Sequence, residues 1–392
     1  MELLKRPALE GKIEESLKHF PITLLLGPRQ CGKTTIARLI NKRKKGTFFD
    51  LEDPRCPLKP EIAATVLEDL QGLVVIDEFQ NQPGLFSLLR VLVDKKPRRV
   101  RYLILGSSSP ELVKGVSQTL AGRVSFVEMG GFSLAEVGIG NLKKLWLRGG
   151  FPDSFLSKTH KNSDSWRLNF IRSFLERDIP KLGIRIPSTT IRRFWMMVAH
   201  LHGQLWNAAT LARSLGTKED TARRYLDILC GTFMLRQLPP WHENIKKRLI
   251  KSPKVYLRDS GLLHTLLDLR IERQLYSHPI LGFSWEGFAI ERLIELLDAS
   301  DDAFFYRTHG GAELDLLLTR GGKKYGFECK FSDSPGKTRS MTEVIRDLKL
   351  EKLWIIYPGR HRYPIDKKIE ILPLSECPKT FKWGIESKVK KK

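Results

Sequence analysis

Long hydrophobic runs are missing from this chain. The longest, such as Ile22 to Leu26 and Leu73 to Ile76, fall far short of the roughly 18 residues a membrane span needs, so no membrane partner is expected. An apolar leader is missing too. Lys5, Arg6 and Lys12 stand among polar residues near the start, and no signal peptide is expected. Cysteine is sparse and odd in number: Cys31, Cys56, Cys230, Cys329 and Cys377, with no C-x-x-C pair. That excludes a dense disulfide scaffold and a standard cysteine zinc site, and it suits a reducing, cytoplasmic compartment. Internal repeats are absent, and the one low-complexity tract is the terminal Lys388-Val389-Lys390-Lys391-Lys392.

Acidic residues are under-represented. The 392 residues carry 67 Lys plus Arg against 44 Asp plus Glu, a net charge of +23. The excess is concentrated. Residues 1–140 are +5, residues 141–270 are +14 and residues 271–392 are +4. A basic block of this kind favours a polyanionic partner, with nucleic acid first and double-stranded DNA the expected form.

The first 140 residues alternate short apolar runs with helical stretches, the pattern of an α/β parallel sheet. Strands are expected at Ile22–Leu26, Thr47–Leu51, Leu73–Ile76, Tyr102–Leu105 and Ser125–Met129. Gly149-Gly150-Phe151-Pro152 is turn punctuation. Residues 165–230 read as helical, and the last 120 return to mixed α and β. Three domains are expected, at 1–140, 141–268 and 269–392.

Residues 27–35 read GPRQCGKTT and match G-x-x-x-x-G-K-[ST]. The expected nucleotide-binding residues are Gly27, Pro28, Arg29, Gln30, Cys31, Gly32, Lys33, Thr34 and Thr35. Glycines let the loop curl so that its N–H groups face phosphate. Lys33 neutralises the β/γ oxygens, and the Thr34 hydroxyl ligates magnesium. A strand before the loop and a helix after it complete the context. Downstream, Leu73-Val74-Val75-Ile76-Asp77-Glu78 is an apolar strand ending in two carboxylates. Asp77 is placed to hold magnesium and Glu78 to polarise the attacking water. The strand candidate Thr47–Leu51 between these motifs suggests the NTPase branch in which an extra strand separates them. Ser107 and Ser108, ending the next strand, are candidate γ-phosphate sensors; capping the helix expected near Pro110 is the competing role. Arg123 is a candidate finger or sensor arginine, in cis or from a second copy in a homo-oligomer, against a surface ion pair.

GPRQCGKTT, LVVIDE, LILGSSS and LAGR, with GGFPD (149–153), FLERDIP (174–180) and HGQLWN (202–207), resemble prokaryotic AAA-type ATPases carrying a fused C-terminal nuclease-like domain. The resemblance spans nearly the whole chain. It implies ATP and Mg2+ as cofactors and ATP hydrolysis as the activity.

In the basic middle, Asn207 to Gly216 reads as a short capped helix. Thr217-Lys218-Glu219-Asp220 then forms a capping box that opens a second helix to about Cys230. Leu211 and Leu215 on the first helix match a stripe of Ala222, Tyr225, Leu226 and Leu229 on the second. This fits a helix-turn-helix. Phe233–Leu238, a basic loop through Lys246, Lys247 and Arg248, and Val255–Leu257 suggest a wing, which the family resemblance also implies. Lys218, Arg223 and Arg224 lie on the polar side and are candidate DNA contacts; a packing or dimerisation module is the alternative. Phe194-Trp195-Met196-Met197 is expected in the core, and His200 and His202 diverge on a helix, which argues against a metal site there.

Glu313 to Leu318, Gly321-Gly322 and Tyr325 to Lys330 predict a β-hairpin. With a two-residue turn, Asp315 faces Glu328 and Glu313 faces Lys330. Alternation then puts those four on one face and Leu314, Leu316, Leu318, Tyr325, Phe327 and Cys329 on the other. Two opposed carboxylates call for a cation between them. The D-x(12)-E-x-K spacing resembles PD-(D/E)XK nucleases, which implies magnesium on Asp315 and Glu328 and a catalytic Lys330. Glu286, expected at a helix start, matches the family's upstream acid. Leu314 departs from the proline often found in that motif, and a further catalytic glutamine is not evident. Two functions follow: a DNA-associated ATPase with Mg-dependent nuclease activity, or an ATP-gated switch whose winged helix and inactive nuclease-like domain recruit a protein.

Overall fold

The computed structural model describes residues 4–97, 99–107, 120–242 and 250–381. Ser108, the helix expected near Pro110, the basic loop at Lys246, Lys247 and Arg248, and the C-terminal lysine run lie outside them. The chain forms two compact units. Residues 1–132 with 227–234 make the first, and residues 133–226 with 235–392 make the second. Among the described residues no helix is long and apolar enough to cross a membrane.

The first unit is built on β1 (Ile22–Gly27), β2 (Thr47–Asp50), β3 (Gly72–Asp77), β4 (Val100–Ser107) and β5 (Val124–Glu128). All adjacent pairs are parallel, in the order β2-β3-β4-β1-β5. All six residues of β1 are buried, which explains its unbroken apolar run: a central parallel strand is covered on both faces. Leu25 packs with Leu9, Ile13 and Leu17 of α1 (Pro7–His19) and Ile36, Ala37 and Ile40 of α2 (Lys33–Lys44). Ile22, Leu24 and Leu26 pack on the other side with Ala63 and Leu67 of α3 (Ala63–Glu68) and Leu85, Phe86 and Leu89 of α4 (Leu85–Asp94). The strand that separates β1 from β3 is β4. The segment 47–50, which lies between the two motifs in sequence, forms the sheet edge instead.

The second unit begins with helices. His160–Ser173 runs into a π-turn at Phe174–Asp178, which is the FLERD stretch. Helix Ser188–His200 buries Phe194 and Trp195, whereas Met196 is exposed, so the expected four-residue core cluster supplies two core residues. Asn207 caps helix Ala208–Leu215 by accepting from the Thr210 N–H, and Gly216 ends it in a left-handed conformation. Helix Glu219–Gly231 follows, its residues to Leu226 in this unit and the rest in the first, and it buries Ala222, Tyr225, Leu226 and Leu229. Three short strands, β6 (Gln204–Leu205), β7 (Leu235–Leu238) and β8 (Lys254–Leu257), form an antiparallel sheet in the order β6-β8-β7.

Two family-like motifs owe their residues to packing here. Gly149 has φ +75, and a Cβ on it would lie 2.1 Å from an Asp259 carboxylate oxygen. That carboxylate accepts from the Gly150 N–H at 2.7 Å and caps helix Ser260–Leu266 through the Leu262 N–H at 2.9 Å. His202 is buried, and its Nδ1 accepts from the Leu257 N–H at 2.9 Å.

After helix Leu281–Leu297 come β9 (Ala303–Arg307), β10 (Glu313–Arg320), β11 (Lys323–Cys329), helix Arg339–Leu348, β12 (Lys352–Tyr357), β13 (Tyr363–Pro364) and β14 (Ile369–Pro373). They form a mixed six-stranded sheet in the order β13-β14-β12-β11-β10-β9. The hairpin pairs Leu316 with Phe327 and Leu318 with Tyr325, the expected register, around Gly321 and Gly322, both at positive φ. One expectation fails. The β9 pairing shifts by a residue between Leu314 and Leu317, so β10 carries a bulge. Leu314 therefore joins Leu317 in the cluster with Met341, Val344 and Leu348 rather than following Leu316.

Candidate functional site

The nucleotide-site candidates converge at the C-terminal ends of β1, β3 and β4, where open α/β sheets bind ligands. Gly27 pairs alongside Ser107. A Cβ on Gly27 would lie 2.0 Å from the Met129 carbonyl oxygen, so no larger residue fits without moving that strand end. Gln30 and Gly32 adopt positive φ, which curls the loop before α2. Arg6 clamps its outside, donating to the Cys31 and Gly130 carbonyls at 3.4 and 3.2 Å and to the Gly131 carbonyl at 2.8 Å.

Lys33 is buried, and its ammonium donates to the Gly27 and Pro28 carbonyls, each at 2.8 Å. Asp77 is buried at the tip of β3. Burial raises its pKa, opposed by a hydrogen bond from the Thr34 hydroxyl. The two expected magnesium ligands thus touch each other. The donor set, one hydroxyl and one carboxylate, suits a hard cation that keeps most of its waters.

Glu78 has φ +53, which turns the chain sharply off the strand. Its carboxylate accepts from the Gln80 amide and lies 3.8 Å from the Arg29 guanidinium. Gln80 Nε2 also donates to Ser107 Oγ at 2.9 Å. Arg29 in turn pairs with Glu52 at 3.0 Å. Cys31 is buried, while Gln30 and Thr35 are exposed.

Arg123 lies elsewhere. The Ile22 N–H, at the start of β1, donates to its carbonyl at 3.2 Å. The phosphate loop leaves the other end of that strand, about 17 Å away by strand rise. The Arg123 guanidinium makes a two-pronged pair with Asp94 at 2.7 and 2.8 Å. This geometry opposes a role in cis within its own site.

Lys218, Arg223 and Arg224 are exposed on or beside helix Glu219–Gly231. Arg223 approaches Glu219 only loosely, at 3.8 Å.

In the C-terminal sheet, Glu286, Asp315 and Glu328 are all buried. Glu286 lies in the second turn of its helix, not at its start. Asp315 accepts from the Cys329 N–H at 2.9 Å, and Lys330 pairs with Glu328 at 3.1 Å. Sequence reasoning missed Lys254 and Tyr256 of β8. Lys254 Nζ lies 2.7 Å from Glu313, 3.1 Å from Glu286 and 3.7 Å from Asp315. The Tyr256 hydroxyl donates to Glu286 at 2.6 Å. Burial raises the Glu286 pKa to about 7, aided by Asp315 and opposed by Lys254. Gln80 was missed as well. Lys254 did leave a signal, as a lone cation heading an apolar strand; Gln80 left none.

Comparisons with known proteins match three segments of the chain. Residues 19–138 match an AAA domain, residues 139–273 a domain of unknown function (DUF8612) and residues 281–377 another (DUF4143). Two curated relatives, uncharacterised proteins Rv2008c of Mycobacterium tuberculosis and Mb2031c of Mycobacterium bovis, are each 46% identical over 374 residues, 95% of this chain and 85% of theirs. The chain belongs to their family. Its first unit is an AAA-type P-loop ATPase domain. Among solved structures, a Walker-type ATPase of Pyrococcus abyssi is 15% identical with a TM-score of 0.48, over 68% of this chain and 96% of that one. The Thermotoga maritima RuvB Holliday junction branch migration motor is 16% identical with a TM-score of 0.31, over 60% and 90%.

Proposed function

We propose that this chain hydrolyses ATP with magnesium and does so in association with double-stranded DNA. The observation that carries the ATPase reading is the meeting of three elements beside one phosphate loop. Thr34 touches Asp77, and Glu78 is joined through Gln80 to Ser107. Lys33 exchanges its two carbonyl partners for phosphate oxygens. The α2 N-terminus adds backbone N–H groups and a favourable dipole. Thr34 and Asp77 would hold magnesium, which would supply positive charge against the phosphates. Glu78 orients the attacking water and accepts its proton. Ser107, beside Gly27, senses the terminal phosphate.

DNA association rests on charge. Residues 141–270 carry +14, and Lys218, Arg223 and Arg224 present exposed cations after a short helix and turn. We read helices 208–215 and 219–231, with β7 and β8, as a winged helix. Arg123, remote from its own phosphate loop, serves only in trans, within a homo-oligomer. The deciding experiment is ATP turnover with and without duplex DNA. Stimulation supports the reading.

One observation favours the second reading, an ATP-gated switch. Glu78 is engaged by Arg29 and Gln80 rather than presented freely. Slow turnover indifferent to DNA would favour that switch, with the winged helix meeting a protein. The nuclease resemblance of the C-terminal sheet implies Glu286, Asp315 and Glu328 as metal ligands and Lys330 as catalytic lysine. The fit of a metal among them depends on the charges already there.

A further inference from the structure

A divalent cation shared by buried carboxylates needs their oxygens free to converge on one point. In the second unit, three carboxylates already converge on one of the protein's own cations. Lys254 is 3% exposed at its side chain, and its ammonium lies 3.1, 2.7 and 3.7 Å from Glu286, Glu313 and Asp315. Its strand, Lys254–Leu257, is buried along its whole length. We infer that Lys254 is the resident cation of this acidic cluster, filling the space between Glu286, Glu313 and Asp315 beside the Asp315–Glu328 pair on which the nuclease resemblance implies magnesium, and that the cluster takes no divalent metal.

Charge balance supports this. The four carboxylates are Glu286, Glu313, Asp315 and Glu328. Against them stand Lys254, Lys330, which pairs with Glu328 at 3.1 Å, and Arg307, whose Nε lies 3.5 Å from Glu313. Three cations thus already lie among four carboxylates, which leaves little charge for a divalent ion to compensate.

Two further hydrogen bonds hold the carboxylates in place. Tyr256 donates to Glu286 at 2.6 Å, and the Cys329 N–H donates to Asp315 at 2.9 Å. Buried charges are tolerated when paired and hydrogen-bonded in this way. A metal would have to displace a buried, three-fold paired ammonium and disturb these bonds as well. Among the described residues, no group of three or more His, Cys, Asp or Glu is arranged to hold a metal ion. The inference is independent of the ATPase reading, because it concerns only the second unit.

The test uses the full chain without nucleotide, with Mn2+ as probe. Bound Mn2+ is counted by electron paramagnetic resonance, alongside melting temperature. Wild type and Asp315→Asn should bind the same number of Mn2+ ions, with affinities equal within about twofold. Lys254→Met should gain one Mn2+ site, and adding Asp315→Asn should remove it. A wild-type Mn2+ site that disappears in Asp315→Asn overturns the inference. So does a folded Lys254→Met protein that gains no site. If Lys254→Met does not fold, the comparison of wild type with Asp315→Asn still decides.

Discussion

Gln80 Nε2 donates to Ser107 Oγ at 2.9 Å while the same amide group holds the Glu78 carboxylate. The tips of β3 and β4 are thereby joined through one side chain. If Ser107 meets a phosphate as proposed, that phosphate and the position of the Glu78 carboxylate are mechanically linked.

Gln80→Ala should therefore lower kcat by about tenfold to a hundredfold, the usual penalty for misplacing a reacting group by an ångström. Nucleotide affinity should stay within twofold, because Lys33, the cation expected to meet the phosphates, is untouched by the change. Steady-state kinetics with a separate ATP titration checks this. A fall in affinity with kcat unchanged would remove Gln80 from the positioning role.

Lys33→Ala should abolish nucleotide binding or weaken it severely, since it removes the charge facing the phosphates. Glu78→Gln should keep ATP bound and stall its hydrolysis, because an amide accepts no proton. Equilibrium binding and single-turnover assays separate the two. Wild-type turnover in Glu78→Gln would sink the catalytic assignment.

Replacing Arg223 and Arg224 together with Ala should weaken duplex DNA binding and flatten its salt dependence by about two units of log–log slope, one for each arginine withdrawn from a phosphate. Fluorescence anisotropy across a salt series reads both. Affinity that ignores salt would instead favour a protein partner.

Two buried imidazoles predict a pH effect. Burial pushes His202 down to about 3 and His264 down to about 4. Both are depressed below the unfolded value of about 6.5. Their contribution to stability is complete above about pH 6.5 and is lost as pH falls toward the folded values, at about 1.4 kcal/mol per pH unit for each ring. Glu286, raised to about 7, acts in the opposite sense, its contribution fading as pH rises from the unfolded carboxylate range toward 7. Nitrogen NMR of the imidazoles provides the direct check: both rings should remain neutral at about pH 5, well below the unfolded histidine value. A protonated His202 or His264 at that pH would contradict their burial.

Much of this protein was legible in one dimension. The phosphate loop, the Asp77-Glu78 strand end and the hairpin register all follow from local rules. A glycine pattern bends a loop, an apolar run makes a buried parallel strand, and a two-residue glycine turn sets which residues oppose. The Asn207 cap and the stripe from Ala222 to Leu229 are likewise written within a few residues. What the sequence left open depended on distant segments meeting. Strand order is one case, since only the folded sheet inserts β4 between β1 and β3 and sends 47–50 to the edge. The bulge that turns Leu314 inward is another, imposed by pairing with β9 rather than by the hairpin itself. Arg123 has a loop-like context, yet the sheet carries it to the end opposite the phosphates. Lys254 is 61 residues from Asp315 in sequence, and its place at the head of an apolar strand does not say which three carboxylates surround it. Local sequence determined which groups could do chemistry. Tertiary packing decided which of them meet, because a buried charge is set by whatever partners the fold brings within a few ångströms.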